Sequence, residues 1–389
     1  MTRWPKVKLK DVAIVSSGNS APQGDEFFIN GKYPFCRTSD VGAVHLSPNL
    51  TEIKDKLNER GIKGLALFPK GTILIPKSGA STFLNHRAIL GLDSYVSSHL
   101  ATIQTNEIVL FNLWAYYFLV TIDAKMLSPD SDYPTLKLST ISNIEIPLPL
   151  IEEQKKIAAR LDAVSELLEK QKQLLAEQDT LIQSLFYDTF GIPFKNDKNF
   201  KMLSIEDIVS DVQYGTSKKA DTSGSTPILR MNNIKYSGEM DYSDLKFIDL
   251  GEETSKYLLK KGDILFNRTN SKELVGKTGL YNFDSPMVYA GYLIRVRLKD
   301  NFLPICFSVY MNTPYLKAFF LEKCKSIVGM ANINAKELQK IPIYLPPLEL
   351  QEKFAAIVEQ IEAEKQKIKS AIAETQTLFN ALMAEYFEE

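Results

Sequence analysis

Residues 144–190 read IEIPLPLIEEQKKIAARLDAVSELLEKQKQLLAEQDTLIQSLFYDTF, and residues 341–387 read IPIYLPPLELQEKFAAIVEQIEAEKQKIKSAIAETQTLFNALMAEYF. The two stretches align without a gap at one constant offset, because 351 − 154 = 197 places Gln351 on Gln154. The same offset superimposes a Leu-Pro pair (148–149 on 345–346) and an Ala-Ala pair (158–159 on 355–356). A repeat of this length indicates that the chain contains two copies of one module.

Each copy predicts a short strand followed by one long helix. Prolines precede the helix and exclude a helical start further upstream, whereas residues 152–190 contain neither Pro nor Gly, so a helix of about 40 residues is available. Apolar residues recur every seven positions, which is the pattern of a coiled-coil seam. The predicted seam residues are Ile157, Leu161, Val164, Leu168, Leu175, Ile182, Leu185, Phe354, Val358, Ile361, Ile368, Ile372, Phe379 and Leu382. Gln171, Gln178, Lys365 and Thr375 interrupt the seam, and the two matched copies favour an intramolecular helix pair over a helix of an ordinary bundle.

The composition is that of a globular protein, with 44% hydrophobic and 24% charged residues in a chain of 389, enough for two to three domains. The start MTRWPKVKLKDV lacks the apolar core of a signal peptide, and no run approaches about 18 apolar residues, so we expect a cytoplasmic protein with no membrane association. Cys36, Cys306 and Cys324 have no CxxC spacing, which predicts reduced thiols and no structural zinc.

The segments outside the helices are distant repeats of each other and are mildly basic. Residues 1–143 carry 15 Lys/Arg against 12 Asp/Glu, and residues 195–340 carry 22 against 17, while both helices are acidic. YPFCRTSDV matches TPILRMNNI, and GTILIPKS matches GDILFNRT, which pairs Arg37 with Arg230 and Lys77 with Arg268. Strand-like runs (96–103 and 288–298), each followed by a helix (113–122 and 305–321), predict α+β domains with β-rich cores and functional loops. A basic bias is typical of phosphate-binding surfaces and also occurs on proteins that never meet DNA.

Polar side chains on loops next to these strands are the candidates for contacts to bases and phosphates, because Arg suits guanine, Asn suits adenine and Lys suits phosphate. The candidates are Arg37, Ser39, Lys77, Ser78, His86, Arg87, His99, Arg230, Asn232, Asn233, Arg268, Asn270, Lys272, Lys277, Asn332 and Asn334. For each of them a solvated or structural role is the alternative, and for Asn334 that alternative is helix capping.

Catalytic motifs are absent from the sequence. It contains no Walker loop, no HExxH, no G-x-S-x-G and no Asn-Pro-Pro-aromatic stretch for a flipped adenine. His45, His86 and His99 are scattered, and Asp130 and Asp132 lie in the turn-like stretch SPDSDYPT. The sequence therefore predicts a protein that is not itself an enzyme, with no catalytic residues and no metal site.

The sequence resembles the specificity (S) subunits of type I restriction–modification systems over essentially its whole length. The resemblance rests on PLPLIEEQKKIAARLD, PPLELQEKFAAIVEQ, GDILF and the domain starts WPKVKLKDVAIVSSG and MLSIEDIVSDVQYGT, with one departure where Leu350 separates Glu349 from Gln351. It implies two target recognition domains (1–143 and 192–340) and two conserved helical regions (144–191 and 341–389) that form an antiparallel coiled coil.

The resemblance also implies a function. Each recognition domain would read one half of a bipartite, asymmetric site in double-stranded DNA, while the helices set the spacer and dock two methyltransferase (M) subunits. Restriction (R) subunits would join the complex, and S-adenosylmethionine, ATP and Mg²⁺ would bind only to partner subunits. The rival hypothesis is a coiled-coil scaffold that binds proteins and no DNA, and a nuclease fused to a binding domain lacks its motif.

Overall fold

The computed structural model describes residues 4–44, 48–127, 135–323, 325–327 and 330–388. The chain forms two compact units. Unit 1 consists of residues 1–174 and 368–389, and unit 2 consists of residues 175–367. Both long helices therefore contribute a segment to each unit.

Unit 1 is built from short strands and helices around one five-stranded and one four-stranded sheet. Its strands are β1 Lys6–Lys8, β2 Ala13–Ser17, β3 Tyr33–Cys36, β4 Asn49–Leu50, β5 Lys56–Leu57, β6 Leu67–Phe68, β7 Ile73–Pro76, β8 Ala88–Leu90, β9 Ser94–Val96, β10 Leu100–Thr105 and β11 Glu145–Pro147. Its helices are α1 Leu9–Val12, α2 Thr38–Ala43, α3 Asn112–Thr121, α4 Ala124–Leu127, α5 Leu138–Ser142 and the first part of α6 Ile151–Phe190, with 3₁₀ turns at Asp25–Phe27 and Ala80–Leu84. The sheet orders are β2-β10-β7-β8-β4 and β5-β3-β9-β6, and β1 pairs with β11.

Unit 2 repeats this plan with more, smaller sheets. Its strands are β12 Lys201–Ser204, β13 Val209–Tyr214, β14 Thr226–Leu229, β15 Lys246–Ile248, β16 Ile264–Asn267, β17 Thr269–Asn270, β18 Thr278–Leu280, β19 Val288–Tyr289, β20 Leu293–Leu298, β21 Lys325–Ile327, β22 Met330–Asn332 and β23 Pro342–Leu345. Its helices are α7 Ile205–Ile208, α8 Thr254–Tyr257, α9 Pro304–Met311, α10 Pro314–Lys323, α11 Ala335–Gln339 and the first part of α12 Leu348–Phe387, with 3₁₀ turns at Met231–Asn233 and Gly251–Glu253. The sheet orders are β13-β20-β16-β18, β15-β14-β19 and β17-β22-β21, and β12 pairs with β23.

The predicted α+β class with two long helices is confirmed. Helices α6 and α12 each contain 40 residues, which corresponds to about 60 Å. Helix α6 ends at Phe190, because the next residue, Gly191, has a φ of +79° that favours glycine and stops the helix. The helix predicted over 305–321 is wrong as one piece: it is broken into α9 and α10, because Pro314 has no N–H to donate and its ring clashes with the preceding turn.

The long helices run antiparallel within each unit. In unit 1, the Arg160 guanidinium donates to the Tyr386 hydroxyl over 3.3 Å, so the first part of α6 meets the last part of α12. In unit 2, Lys365 lies 2.6 Å from Asp179, and the Phe190 ring lies 4.9 Å from that of Phe354. Moving 11 residues forward along α6 (190 − 179) therefore moves the contact 11 residues back along α12 (365 − 354).

The predicted seam positions are all buried or half-buried in the helix pair. The two predicted interruptions in α12 are buried as well, Lys365 at 4% exposure and Thr375 at 8%. Burial lowers the pKa of Lys365, but its hydrogen bonds to Asp179 and Glu362 outweigh this, so the pKa lies above its ordinary value. The ammonium is thus accommodated in the seam as a charged group with two carboxylate partners.

The core of each unit joins its sheets to its segment of the helix pair. In unit 1 the Trp114 side chain is fully buried, packs against Trp4 at 5.4 Å and donates from its indole N–H to the Pro147 carbonyl. In unit 2 Phe186 and Phe190 of α6 pack in the same cluster as Tyr310 of α9. Burial of such rings is the dominant favourable contribution to each unit.

Candidate nucleic-acid interface

The ends of three strands meet in unit 1 and bring three predicted contact residues together. Strands β3 and β9 run parallel and end side by side at Cys36 and Val96. The turn after β9 is fixed to the end of β3, because the Ser97 N–H donates to the Cys36 carbonyl over 2.9 Å, and Arg37 follows directly. The Lys77 N–H, at the end of β7, donates to the His99 carbonyl of the same turn. Arg37, Lys77 and His99 therefore share one edge, hereafter the reading edge of unit 1.

Unit 2 contains the same edge, built by the same backbone hydrogen bonds. The Ala290 N–H donates to the Leu229 carbonyl, and Arg230 follows Leu229 as Arg37 follows Cys36. The Arg268 N–H donates to the Tyr292 carbonyl, as Lys77 does to His99. A matching bond continues beyond the edge in each unit, from the Ile333 N–H to the Arg268 carbonyl and from the Leu136 N–H to the Lys77 carbonyl. The matched pairs Arg37/Arg230 and Lys77/Arg268 thus occupy equivalent places.

Arg37 and Arg230 are each held by a carboxylate. The Arg37 guanidinium forms an ion pair with Asp55 and lies over the rings of Phe28 and Phe35, 5.5 and 5.4 Å from their centroids. Arg37, Asp55 and Phe28 line a shallow cavity of about 440 Å³ together with Asp25, Lys54 and Lys56. Arg230 donates to the Asp244 carboxylate over 2.9 Å and to the Asp244 carbonyl over 3.0 Å. Both arginines are therefore oriented side chains, half-buried beside their loops.

The second matched pair differs in chemistry between the units. In unit 1, the Ser78 hydroxyl lies 2.7 Å from His99 Nδ1, next to Lys77. In unit 2, the Arg268 guanidinium lies over the Tyr214 ring at 4.9 Å and donates from Nη1 to the Gly291 carbonyl over 3.4 Å. The Tyr214 hydroxyl accepts from the Ala335 N–H over 2.9 Å, which fixes the ring that supports Arg268. Equivalent edges therefore carry a flexible lysine in one unit and a stacked, oriented arginine in the other.

Several predicted contact residues are placed elsewhere than at an open edge. Arg87 is 2% exposed and donates to the carbonyls of His86 and Ile122, and burial lowers its pKa to about 10. Asn233 is 2% exposed and donates to the carbonyls of Asp241 and Asp244.

In these places Arg87 and Asn233 hold loops together. Asn334 caps α11, since its side-chain oxygen accepts from the Glu337 N–H over 3.0 Å. Asn334 therefore has the helix-capping role that the sequence offers as its alternative.

The remaining candidates lie on or near the loops of the two edges. Ser39, Asn232 and Lys272 are exposed; His86, Asn270 and Asn332 are half-buried; Lys277 is buried. Asn332 belongs to β22, which pairs with β17 immediately after Arg268. The structure leaves the base contacts themselves as predictions.

Four side chains at these edges were missed by the sequence reasoning. Asp55 and Asp244 pair with the matched arginines, and Tyr214 and the half-exposed Tyr292 flank Arg268. Tyr214 and Tyr292 carried a usable signal, because each lies beside a glycine, Gly215 and Gly291, and exposed aromatics next to basic loops stack on bases or on Arg.

Gln154 of α6 and Gln351 of α12 attach the long helices to the rest of each unit. Gln154 is fully buried; its Oε1 accepts from the Phe111 N–H, and its Nε2 donates to the carbonyls of Val109 and Pro149, each over 2.9 Å. Gln351 repeats this arrangement in unit 2 with Leu303, Asn301 and Pro346. The two glutamines, at matched sequence positions, therefore make equivalent hydrogen bonds in the two units.

Metal-ligating and thiol groups are the other side chains of chemical interest in the described parts of the chain. No group of three or more His, Cys, Asp or Glu side chains there is arranged to hold a metal ion. Cys36 and Cys306 are buried free thiols, and burial raises the pKa of Cys306 to about 12. His45, Cys324 and the Asp130/Asp132 stretch lie outside the described residues. No helix among the described residues is long and apolar enough to span a membrane.

Comparison with known proteins gives a consistent family. The chain is 28% identical over 283 residues to the EcoKI specificity subunit of a type I restriction enzyme from Escherichia coli K12, covering 67% of this chain and 61% of that protein. It is 28% identical to the MjaIX specificity subunit from Methanocaldococcus jannaschii, over 50% of this chain and 46% of the relative. The matched stretches thus span about half to three fifths of these relatives' length.

Solved structures share the fold. A type I restriction–modification S subunit from M. genitalium matches with a TM-score of 0.64 at 16% identity, covering 100% of this chain and 96% of that one. A chain from a structural study of complex assembly and conformational transition in the type I R-M system matches with a TM-score of 0.54 at 19% identity. The match covers 100% of this chain and 98% of that one. The family model for the type I restriction modification DNA specificity domain matches twice, at residues 1–178 and 197–374. The chain therefore belongs to the family of type I restriction modification DNA specificity domains, of which it contains two copies.

Proposed function

We propose that this chain is the DNA sequence-recognition subunit of a type I restriction–modification complex, with each unit reading one half of a bipartite, asymmetric site. The observation that carries this proposal is the reading edge, which the same backbone hydrogen bonds build in both units. A repeated scaffold that presents Lys77, Ser78 and His99 in one copy, and Arg268 and Tyr292 in the other, suits two different half-sites.

The long helices supply the remaining parts of the role. The helix pair sets the length of the unread spacer and docks two methyltransferase subunits, and restriction subunits complete the assembly. Leu167 and Leu174 support a docking role, because they lie seven residues apart on the unit 1 segment of α6 and are 48% and 43% exposed. The chain itself is not catalytic; S-adenosylmethionine, ATP and Mg²⁺ bind to the partner subunits, and the complex works in the cytoplasm.

The second candidate function is a coiled-coil scaffold that binds no DNA. It would account for the helix pair, but it requires no basic side chains at equivalent edges of two units. Lys77 and Arg268 occupy such equivalent places, which favours the DNA-reading function.

The experiment removes both side chains at once. The Lys77→Ala/Arg268→Ala double variant and the wild-type chain are titrated with random-sequence duplex DNA at several salt concentrations. We expect affinity to fall by about tenfold or more, and the slope of log K against log salt to shrink by about one to two, because two cationic contacts are lost.

The matched control is Lys156→Ala/Lys353→Ala. It removes the same charge from two exposed helix lysines that are themselves a repeat pair, since 353 − 156 = 197. Equal behaviour of the two double variants would favour the scaffold.

A further inference from the structure

Unit 2 contains two lysines that are withdrawn from solvent beside neutral partners. Lys277 is 6% exposed, and its ammonium donates to the Met231 carbonyl over 2.7 Å. Lys317, on α10, is half-buried and donates to the side-chain oxygen of Asn312 over 2.9 Å. Among the described residues, neither forms an ion pair with a carboxylate. Each ammonium has three N–H donors, so neutral oxygens satisfy only part of its capacity.

Three other buried or half-buried cations of unit 2 are neutralised by carboxylates. Arg295 pairs with Asp211, Arg297 pairs with Asp263 over 2.7 Å, and Lys365 has two carboxylate partners. Burying a cation without a counter-charge is unfavourable, and two such cations also repel each other. Burial and then the charge of Lys277 lower the pKa of Lys317 to about 7, and burial also lowers the pKa of Lys277. The missing element of this pair is a negative charge.

Asn312 places the two lysines side by side, because it accepts from Lys317 and donates over 2.6 Å to the carbonyl of Thr278, the residue after Lys277. The pair adjoins the reading edge of unit 2. The Lys277 carbonyl accepts from the Asn267 N–H, and Arg268 is the next residue along the chain. Through Met231, Lys277 also contacts the turn that follows Arg230. The solvent side is formed by Tyr236, which is 54% exposed and whose ring centre lies 4.9 Å from the Lys317 ammonium. An exposed aromatic over a cation next to a binding edge is an arrangement found in nucleic-acid-binding grooves.

We propose that Lys277 and Lys317 form a phosphate-binding site that a backbone phosphate of the DNA fills when unit 2 engages its half-site. Phosphate oxygens supply both the counter-charge and acceptors for the unused ammonium donors. The chemistry of the site, two ammonium groups for one phosphate group, stands on the contacts within unit 2. The identity of the phosphate as DNA rests on the proposed function.

The first test is Lys317→Met, which keeps the length of the side chain and removes its charge. We expect duplex affinity to fall by about tenfold for all sequences alike, with the salt slope reduced by about one, since a phosphate contact carries no sequence information. Lys323→Met is the matched control, because Lys323 lies on the same helix with its side chain 60% exposed. A salt slope that is unchanged by Lys317→Met and by Lys277→Met overturns the proposal.

The second test uses pH. Lys277 is the charged group that acts on Lys317, and Asn312 and Tyr236 are its other neighbours. A bound phosphate favours the protonated lysine, so its pKa rises on binding and the complex takes up a proton above pH 7. DNA affinity should therefore fall by about tenfold between pH 6 and pH 8 in the wild type, one factor of ten per pH unit above the free pKa. Lys317→Arg should keep the affinity and abolish this pH dependence, because Arg stays charged.

The third test separates the site from the source of the phosphate. Orthophosphate, compared with chloride at equal ionic strength, should raise the Tm of the full wild-type chain and leave Lys317→Met unaffected. If the wild type binds no DNA, the proposed function fails, and phosphate stabilisation that requires Lys317 still supports the site. The outcome is different if the wild type binds DNA, orthophosphate changes the Tm of wild type and Lys317→Met alike, and Lys317→Met leaves the salt slope unchanged. In that case the site is refuted and the function stands.

Discussion

Replacing Gln154 by Met tests whether the repeated glutamine ties hold the recognition domains to the long helices. Met preserves the size of the side chain but removes three hydrogen bonds of 2.9 Å at a position with no solvent exposure. The Phe111 N–H and the carbonyls of Val109 and Pro149 then lose their partner. At about 1 kcal/mol for each lost bond, and up to about 2 for a buried group left unpaired, we expect unit 1 to lose about 3–6 kcal/mol. This is a large share of the stability of a domain.

Tryptophan fluorescence makes the assay specific for unit 1. Both tryptophans of the chain, Trp4 and Trp114, lie in that unit and contact each other. Guanidinium unfolding followed by their fluorescence should therefore show a lower midpoint in Gln154→Met with an unchanged slope. Gln351→Met breaks the equivalent ties in unit 2 and should lower the transition followed by circular dichroism.

Gln360→Met is the control, because Gln360 is exposed on α12 and its replacement should change stability by less than about 0.5 kcal/mol. A loss below about 1 kcal/mol in Gln154→Met would refute the reasoning, since three buried backbone groups cannot lose their partner at so small an energy.

Two further predictions concern the helix pair. Leu168→Asp places a charge at a 3% exposed seam position and should destabilise unit 1 by about 4 kcal/mol or more. Leu167→Asp, at a 48% exposed neighbour, should change stability by less than about 0.5 kcal/mol. Equal thermal unfolding of the two variants would contradict the seam. The raised pKa of Lys365 implies that its ion pairs stabilise unit 2 at and below its ordinary titration range and that this contribution is lost as pH rises through the raised pKa. Between about pH 8 and pH 11.5 the free energy of unfolding of the wild type should therefore fall relative to that of Lys365→Met. A constant difference would show that Asp179 and Glu362 do not bind the ammonium.

The sequence predicts the large elements of this fold well because they depend on local pattern. A proline-free and glycine-free stretch with heptad spacing is sufficient for a long helix, and an ungapped offset is sufficient to infer two copies. The break at Pro314 could also have been predicted from the local sequence, but the apolar run 305–321 led to the prediction of one continuous helix. Even the interrupting Lys365 was visible, but its partner Asp179 was not, because the two residues lie 186 positions apart.

The reading edges show where sequence reasoning stops. The matched pairs Arg37/Arg230 and Lys77/Arg268 could be found by alignment, since the strands that carry them repeat. The carboxylates that orient the first pair could not, because Asp55 follows its arginine by 18 residues and the partner in unit 2 follows by 14. Loops of different length bring chemically equivalent groups to equivalent places, and only the tertiary fold records this.

Burial separates residues that look alike in the sequence. Arg87 follows a polar loop much as Arg37 follows a strand, yet Arg87 is 2% exposed and bonded to carbonyls. Gln154 resembles any polar residue at the start of an acidic helix, yet it is fully buried. Whether a polar side chain faces water or a neighbouring loop depends on packing from distant parts of the chain, which no local pattern contains.

Whether the chain selects a bipartite DNA site for methylation is tested most directly by a base-resolution methylome of the native host with and without this gene. We expect deletion to remove methylation from one motif made of two different half-sites separated by a fixed spacer, and from no other motif. A methylome that keeps every motif after deletion, in cells shown to express the chain, would contradict this expectation.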